Sequence, residues 1–429
     1  MIITMNKTRT RFAPSPTGYM HIGNLRTALF EFLIAKHEGG DFLLRIEDTD
    51  QERKVEGAVD VIYKTLKECG LNWDEGPDIG GDFGPYIQSE RLPMYKGYAE
   101  ELIKLGGAHY CFCSEEDIEA QRKEAESLGI SFKFNDPCKH LSAEEVQAKL
   151  DAGEPYVIRQ TIKDVGETYF DDEVYGRIEV DGDVLDEQIL IKSDGYPTYN
   201  FANIIDDHQM QISHVVRGNE YLSSTPKYNL IYDAYGWERP TYVHVPPVMK
   251  DEHHKLSKRN GDASFQDLVA KGYLPDAIMN YIALLGWAPE TEQEIYTLDE
   301  LIKVFNIHRI SKSPAIFDID KLTWMNGVYL RNMDEETYYE TVRPYLEKAV
   351  HGPYNLKEIA KIIQPRIDIL NQIEESVDFF DTLVDYDLEM YRHKKMKTTP
   401  EVALKALKAS KATLEAFDQW DSMDALHEC

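Results

Sequence analysis

Two strand–helix–strand patterns stand far apart in this chain, and a sheet built from both must be interrupted by whatever lies between them. In the first, residues 8–13 read as a short strand ending at Pro14. The apolar positions Ile22, Leu25, Leu29, Phe32 and Leu33 then recur at helical spacing, and Gly39-Gly40 stops that helix. Residues 42–46 form a compact apolar strand, and 55–69 an amphipathic helix ending at Gly70. Short joins between such elements imply a βαβ unit and a parallel sheet. The second pattern has a strand at 214–217, a helix at 221–235 broken by Pro226, and a strand at 242–246. Residues 108–200 differ in character, being acidic, strand-rich towards their end and the site of three cysteines. The economical architecture is one nucleotide-binding sheet split by an inserted domain. Beyond residue 262 the spacing turns helical, with helices expected at 277–287, 298–305, 335–350, 356–370, 377–383 and 400–417. The last residues fall inside an amphipathic pattern with no stop signal, so a cut C-terminus is expected.

The 429 residues allow roughly three domains, each with its own core. A net charge of −29 works against nucleic-acid binding, because phosphate contacts need Lys and Arg. The acid is uneven, however. Residues 151–200 hold 13 acids against 4 bases, whereas 1–50 balance 6 against 6, and Arg392-His-Lys-Lys-Met-Lys397 is locally basic. No apolar run approaches the ~18–20 residues needed to cross a bilayer, and the first residues hold no secretory segment. A cytoplasmic protein with no membrane partner is expected. The five cysteines, an odd number, argue against a disulfide framework.

The chain contains no Gly-x-Gly and no Gly-Lys, which removes the dinucleotide fingerprint and the P-loop. Any nucleotide must be held by another device. One candidate is Arg11-Phe-Ala-Pro-Ser15-Pro-Thr-Gly18-Tyr-Met-His21-Ile-Gly23-Asn24, where strand, proline-rich turn and helix start aim backbone N–H groups at an anion. His21 can donate to a phosphate oxygen, and Gly23, lacking Cβ, lets a flat purine approach the helix. Alone, the stretch reads equally as a stiff turn with a capping histidine. The other candidate is Lys255-Leu-Ser257-Lys258-Arg259, whose lysines can clamp a triphosphate and stabilise departing pyrophosphate. Alone, it reads as an exposed basic loop.

Together the two stretches resemble the paired signatures of class I aminoacyl-tRNA synthetases, with Asn24 departing from the second histidine of the first. Leu44-Arg-Ile-Glu-Asp-Thr-Asp50, Gly84-Pro-Tyr-Ile-Gln-Ser-Glu-Arg91, Ser193-Asp-Gly-Tyr-Pro-Thr-Tyr199, Ala202-Asn-Ile-Ile-Asp-Asp-His208 and Trp324-Met-Asn-Gly327 resemble the bacterial-type glutamyl-tRNA synthetases. The resemblance runs from about residue 8 to the end. It implies an α/β fold whose Rossmann-like parallel sheet, over 1–107 and 201–252, is split by an inserted α+β acceptor-end domain over 108–200. All-α parts follow: a stem-contact domain over 253–330 and an anticodon-binding domain over 331–429. It also implies a monomeric ligase that activates L-glutamate with ATP and Mg²⁺, transfers it to the 3′ end of tRNA(Glu), and releases AMP and pyrophosphate.

On that resemblance His21, Gly23, Asn24, Lys255, Ser257 and Lys258 bind ATP, with His21, Lys255 and Lys258 catalytic. Free glutamate carries two carboxylates and one ammonium, so a selective pocket needs two cations and an acid. Arg11 and Arg217 stand at the ends of predicted strands, and a guanidinium grips a carboxylate bidentately. Glutaminyl relatives lack arginine at the position matching Arg217. Glu47 and Ser15 would receive the ammonium, and Tyr199 and Asn203 would donate to substrate oxygens. Asp48 and Asp50 read as structural.

Cys111-x-Cys113, then 24 residues, then Cys138-x-His140 offers four ligands in two close pairs, which suits a structural tetrahedral Zn²⁺. Reduced cysteines beside an unrelated histidine are the plainer reading. The same residues leave other functions open. These are an enzyme that also charges tRNA(Gln), a glutamyl-queuosine tRNA(Asp) synthetase, which lacks a helical anticodon region, and a non-catalytic RNA-binding paralogue.

Overall fold

Strand β1 (Arg9–Phe12) lies parallel to β2 (Asp41–Leu44), paired from Arg9↔Asp41 to Phe12↔Leu44. The structure, a computed structural model, describes residues 7–49, 55–163, 166–256, 264–381, 385–420 and 425–426. Helix α1 (Ile22–His37) connects the two strands and is enclosed on nearly every side, with Ile22, Leu25, Leu29, Phe30 and Leu33 inaccessible, as its apolar circumference requires. Gly40 makes the return possible, because a Cβ there would collide with the Thr8 carbonyl oxygen. Helix α2 (Ala58–Glu68) completes the first half.

After α3 (Leu92–Lys104) the chain forms β3 (Ala108–Cys111), α4 (Glu115–Ser127), α5 (Ala143–Asp151), β4 (Val157–Gln160), β5 (Glu167–Asp172), β6 (Gly176–Asp181) and β7 (Ile189–Ile191). Strands β3, β4 and β7 make an antiparallel sheet of their own. Strands β5 and β6, although they fall in the stretch expected as an insert, return to the main sheet. β5 reaches β9 (Thr241–Val245) through the pair Asp172↔Tyr242.

The second half runs α6 (Tyr199–Gln209), β8 (His214–Gly218), α7 (Thr225–Tyr235) and β9, with β8 and β9 parallel and Arg217 opposite His244. Pro226 lies in the first turn of α7 and starts that helix instead of breaking it. Ser213 N donates to Arg9 O (3.0 Å) and Arg9 N to Ser213 Oγ (2.8 Å), which joins β1-β2 to the sheet β6-β5-β9-β8.

Buried charges cement this junction. Arg11 Nε and Arg45 Nη1 both donate to Asp207 Oδ1 (2.9 and 2.8 Å), and Arg45 Nη2 donates to Glu47 Oε1 (2.9 Å). Asp206 accepts from Arg91 Nε (2.7 Å), Gln88 Nε2 (2.9 Å) and the Tyr95 hydroxyl (2.9 Å). Arg11 Nη1 also meets Glu31 Oε1 (3.2 Å). Three guanidinium groups thus face four carboxylates. Burial pushes Glu31 well above the usual carboxylate range, and its Oε2 has no partner.

The helical part begins after β10 (Val248–Met249), which pairs in parallel with β11 (Ala315–Ile316), a short strand between α10 and α11. Helices α8 (Phe265–Ala270), α9 (Pro275–Ala283), α10 (Leu298–Val304) and α11 (Ile319–Asn332) pack on the same core as α1. In α11, Asn326 is fully buried and accepts from Leu274 N (2.8 Å), while a Cβ on Gly327 would strike the Asp368 carboxylate.

The chain divides into two compact units, Met1–Met333 with Asp368–Asn371, and Asp334–Ile367 with Gln372–Cys429. The second holds α12 (Glu335–Ala349), α13 (Leu356–Ile363), α14 (Ile373–Val377) and α15 (Pro400–Glu415). Helix α13 stops earlier than its spacing predicts: Gln364 still has helical geometry, but Pro365 has no N–H to continue the hydrogen-bond ladder. Among the described residues no helix is long and apolar enough to cross a membrane.

Asp206→Ala leaves buried Arg91 Nε, Gln88 Nε2 and the Tyr95 hydroxyl without their acceptor and the Arg91 charge without its acid. A loss of about 3–5 kcal/mol is expected in the urea unfolding of the first unit, whereas a loss below about 1 kcal/mol would show that these charges are structurally neutral.

Candidate active site

The turn after β1 is pinned by backbone bonds from the strand beside it. Arg45 N donates to Phe12 O (2.9 Å) and Glu47 N to Pro14 O (3.1 Å), which sets exposed Ser15 next to buried Glu47. His21 is the N-cap of α1: its Nδ1 accepts from Gly23 N (3.0 Å), and its Nε2 bonds the Leu256 carbonyl oxygen (3.1 Å). With Nδ1 accepting, the proton sits on Nε2. A Cβ on Gly23 would stand 3.2 Å from that Nδ1. Asn24 is exposed. Leu256 follows Lys255, an exposed residue bridged to Met249 in a hairpin closed by Leu256 N→Val248 O (3.1 Å). The two distant stretches therefore meet at His21 and Leu256. Ser257 and Lys258 lie outside the described residues, as does Asp50. Asp48 accepts from Ser89 N (2.9 Å) and Ser89 Oγ (2.8 Å), two long-range bonds that tie the chain after β2 to the segment before α3.

Tyr199, Asn203 and Asp207 follow one another at four-residue spacing along α6 and so share a face. Asn203 is buried, and its Nδ2 donates to no described group. The ring of Tyr199 lies 5.7 Å from that of Tyr221. Tyr199 as a whole is 39% exposed, yet desolvation within the site, with the Glu47 carboxylate nearby, holds its phenol well above its usual range.

The two expected arginines differ sharply. Arg11 is committed to the buried charges, with Nε on Asp207 and Nη1 on Glu31 and the Val216 carbonyl. Arg217 is also buried, at 7% exposure, but has no carboxylate within 4.0 Å among the described residues. Its Nε donates to His244 Nε2 (3.1 Å) and its Nη2 to Thr225 Oγ1 (2.8 Å), while the rings of Tyr221, Tyr228 and Tyr242 surround it at 5.2, 4.8 and 5.4 Å. Sequence reasoning missed Tyr221, Thr225 and His244. Only Tyr221, four residues beyond Arg217, had a local signal. A separate cavity of about 840 Å³, lined in part by His37, His214 and Phe305, contains none of these groups.

In the inserted segment, donor atoms of Cys111, Cys113, Asp136 and Cys138 all lie within 4.8 Å of one another. Cys113 and Cys138 place their sulfurs 3.7 Å apart, and two thiolates on one zinc at ~2.3 Å stand about 3.8 Å apart in a tetrahedron. The donor set therefore fits zinc. His140, expected as the fourth ligand, is exposed and outside this group, whereas Asp136 was not anticipated. Against the upward pull of burial, hydrogen bonds from His109, Cys111 and the Cys138 N–H hold the Asp136 carboxyl well below its usual range. Burial and Asp136 push the Cys111 thiol up to about 11, so metal binding there must displace a proton.

The family described as "tRNA synthetases class I (E and Q), catalytic domain" matches residues 7–324, and "Anticodon binding domain" matches residues 337–429. The chain is 60% identical over 401 residues to the glutamate–tRNA ligase of Clostridium botulinum (strain Hall), covering 94% of this chain and 83% of that one. The chain belongs to the glutamate–tRNA ligase family. A second member of that family, from Clostridium tetani, is 59% identical with 94% and 82% covered. The solved glutamate tRNA ligase of Elizabethkingia meningosepticum, in complex with its amino acid, superposes with a TM-score of 0.87 at 35% identity, covering 96% of this chain and 87% of that one. The split sheet and the helical region after it are thus the class I fold of the glutamate–tRNA ligase family.

Cys113→Ser is expected to remove most of the zinc, about one ion per chain, that the purified protein retains after gel filtration. Unchanged zinc by atomic emission would show that these thiols are not ligands.

Proposed function

We propose that this chain is a cytoplasmic, monomeric enzyme that joins L-glutamate to tRNA(Glu) at the expense of ATP. The observation that carries the reading is Arg217: a buried guanidinium, walled by three tyrosine rings, with no acid in contact among the described residues. A buried cation of this kind is completed by an anionic ligand. Asn203 Nδ2, which has no partner among the described residues, supports the same reading as a donor awaiting an oxygen.

Arg217 would take the side-chain carboxylate of glutamate, and Glu47 with Ser15 its ammonium. Arg11 would add positive potential beside the α-carboxylate, with Tyr199 and Asn203 donating to substrate oxygens. ATP enters as its Mg²⁺ complex and lies over Gly23 and Asn24, with its phosphates between His21, Lys255, Ser257 and Lys258. A glutamate α-carboxylate oxygen attacks the α-phosphorus, forming a P–O bond as the bond to pyrophosphate breaks. The terminal ribose hydroxyl of the tRNA then attacks the anhydride carbonyl, loses its proton, and expels AMP with the bonding electron pair. No covalent enzyme intermediate is required, so catalysis rests on positioning and on stabilising phosphate charge.

Residues 108–200 would receive the acceptor end, 253–330 the stem and 331–429 the anticodon. Zinc would brace the acceptor-end segment through Cys111, Cys113, Cys138 and His140. Asp136, whose oxygens accept from Cys138 N (2.8 Å) and His109 Nε2 (3.0 Å) and keep lone pairs for a metal, stands in the cluster and competes with His140 for the fourth place. If His140 fills it, His140→Ala weakens zinc retention in competition with a chelator more than Asp136→Asn does; the reverse order gives the position to Asp136.

The deciding experiment is glutamate-dependent ATP–pyrophosphate exchange in the presence of tRNA(Glu). Arg217→Gln is expected to lower kcat/KM for glutamate by roughly 10²–10⁴-fold, since a site built for a charged group is left mismatched, with little change in the KM for ATP. Exchange that is indifferent to this substitution would overturn the reading.

A further inference from the structure

Arg217 does not choose its own orientation. Three adjacent strands, β5, β9 and β8, each contribute one buried polar residue to a chain of contacts: Asp172, His244 and Arg217, at 4%, 0% and 7% exposure. Asp172 is itself immobilised. Its Oδ1 accepts from Val174 N (3.0 Å) and Tyr175 N (2.8 Å), and its Oδ2 from His244 N (3.1 Å) and His244 Nδ1 (2.6 Å).

The chemistry of the next link fixes the proton. Arg217 Nε carries a hydrogen and can only donate, so His244 Nε2 must present its lone pair. The imidazole is therefore neutral with its proton on Nδ1, directed at Asp172. Thr225 completes the arrangement, accepting from Arg217 Nη2 (2.8 Å) and donating to the Tyr221 carbonyl (2.8 Å). With Nε and one Nη2 hydrogen taken, the guanidinium plane is set, and Nη1, which donates to no described group, is left for a ligand.

We propose that Asp172 and His244 are positioning residues that hold Arg217 in the one orientation able to grip the side-chain carboxylate of the amino-acid substrate, and so help the site to choose an acid over its amide. The proposal rests on the reading of Arg217 given above. Neither residue touches substrate. Each acts by determining where the donors of Arg217 point, and preorganised donors discriminate better than mobile ones.

Asp172→Asn is a nearly isosteric test. The single oxygen of asparagine is held by Val174 N and Tyr175 N, which turns the amide NH₂ towards His244. That amide would donate to Nδ1, drive the imidazole proton to Nε2, and set it against Arg217 Nε–H. Glutamate-dependent exchange with tRNA(Glu) should then show a KM for glutamate raised about 10- to 100-fold. The KM for ATP should be unchanged, and the preference for glutamate over glutamine reduced. His244→Leu should behave alike, whereas His244→Gln, whose Oε1 can accept from Arg217 Nε, should recover part of the loss. A purely packing role for His244 would not produce that recovery. Nitrogen-15 shifts of labelled His244 in the unaltered protein should report hydrogen on Nδ1, a readout independent of how the variants fold. Hydrogen on Nε2, or an active wild-type enzyme whose glutamate KM and selectivity survive both Asp172→Asn and His244→Leu, overturns the proposal. A wild-type protein without glutamate-dependent exchange would instead sink the functional reading beneath it.

Discussion

Asp206 and Asp207, neighbours on one helix, key the second half of the chain into the first. Asp207 gathers Arg11 from β1 and Arg45 from the end of β2, while Asp206 gathers Arg91, Gln88 and Tyr95 from the approach to and first turn of α3. Helix α6 enters only after the inserted segment, so these charges fix where the returning chain docks. Arginine stays charged whatever its surroundings, and the acids opposite cannot be dispensed with singly. The same helix carries Tyr199 and Asn203, so the placement of those donors follows from a salt-bridge cluster and not from the loop that bears the recognisable motif.

Much of the architecture was legible because it is local. The helical spacing before Gly39, the strand at 42–46 and the pattern at 214–246 are short-range features, and all correspond to observed elements. What escaped was long-range. The return of β5 and β6 to the main sheet rests on a pairing between Asp172 and Tyr242, seventy residues apart, which no periodicity announces. Pro226 illustrates a different limit, since proline reads as a breaker unless the first turn of the helix is known to lie there. In the candidate site, the cysteine spacing pointed to a real cluster, but Asp136 could be found only from its place capping the turn into Pro137 and Cys138.

Arg11 and Arg217 show why residue type alone does not define a site. Both were expected to be carboxylate-binding arginines at strand ends, and both are buried. One faces two protein carboxylates. The other faces a neutral imidazole, a hydroxyl and three aromatic rings. The ring faces attract the cation without neutralising it, which leaves Arg217 with an appetite for an anion that Arg11 has already met.

The bond from His21 Nε2 to the Leu256 carbonyl has a consequence for traffic through the helix start. That nitrogen has one hydrogen, and one hydrogen serves one strong acceptor at a time. Any acceptor that took this hydrogen would displace the carbonyl, and with it this bond to the hairpin that carries Lys255. Anchoring of the hairpin and occupancy of the helix end are rival states of a single proton donor.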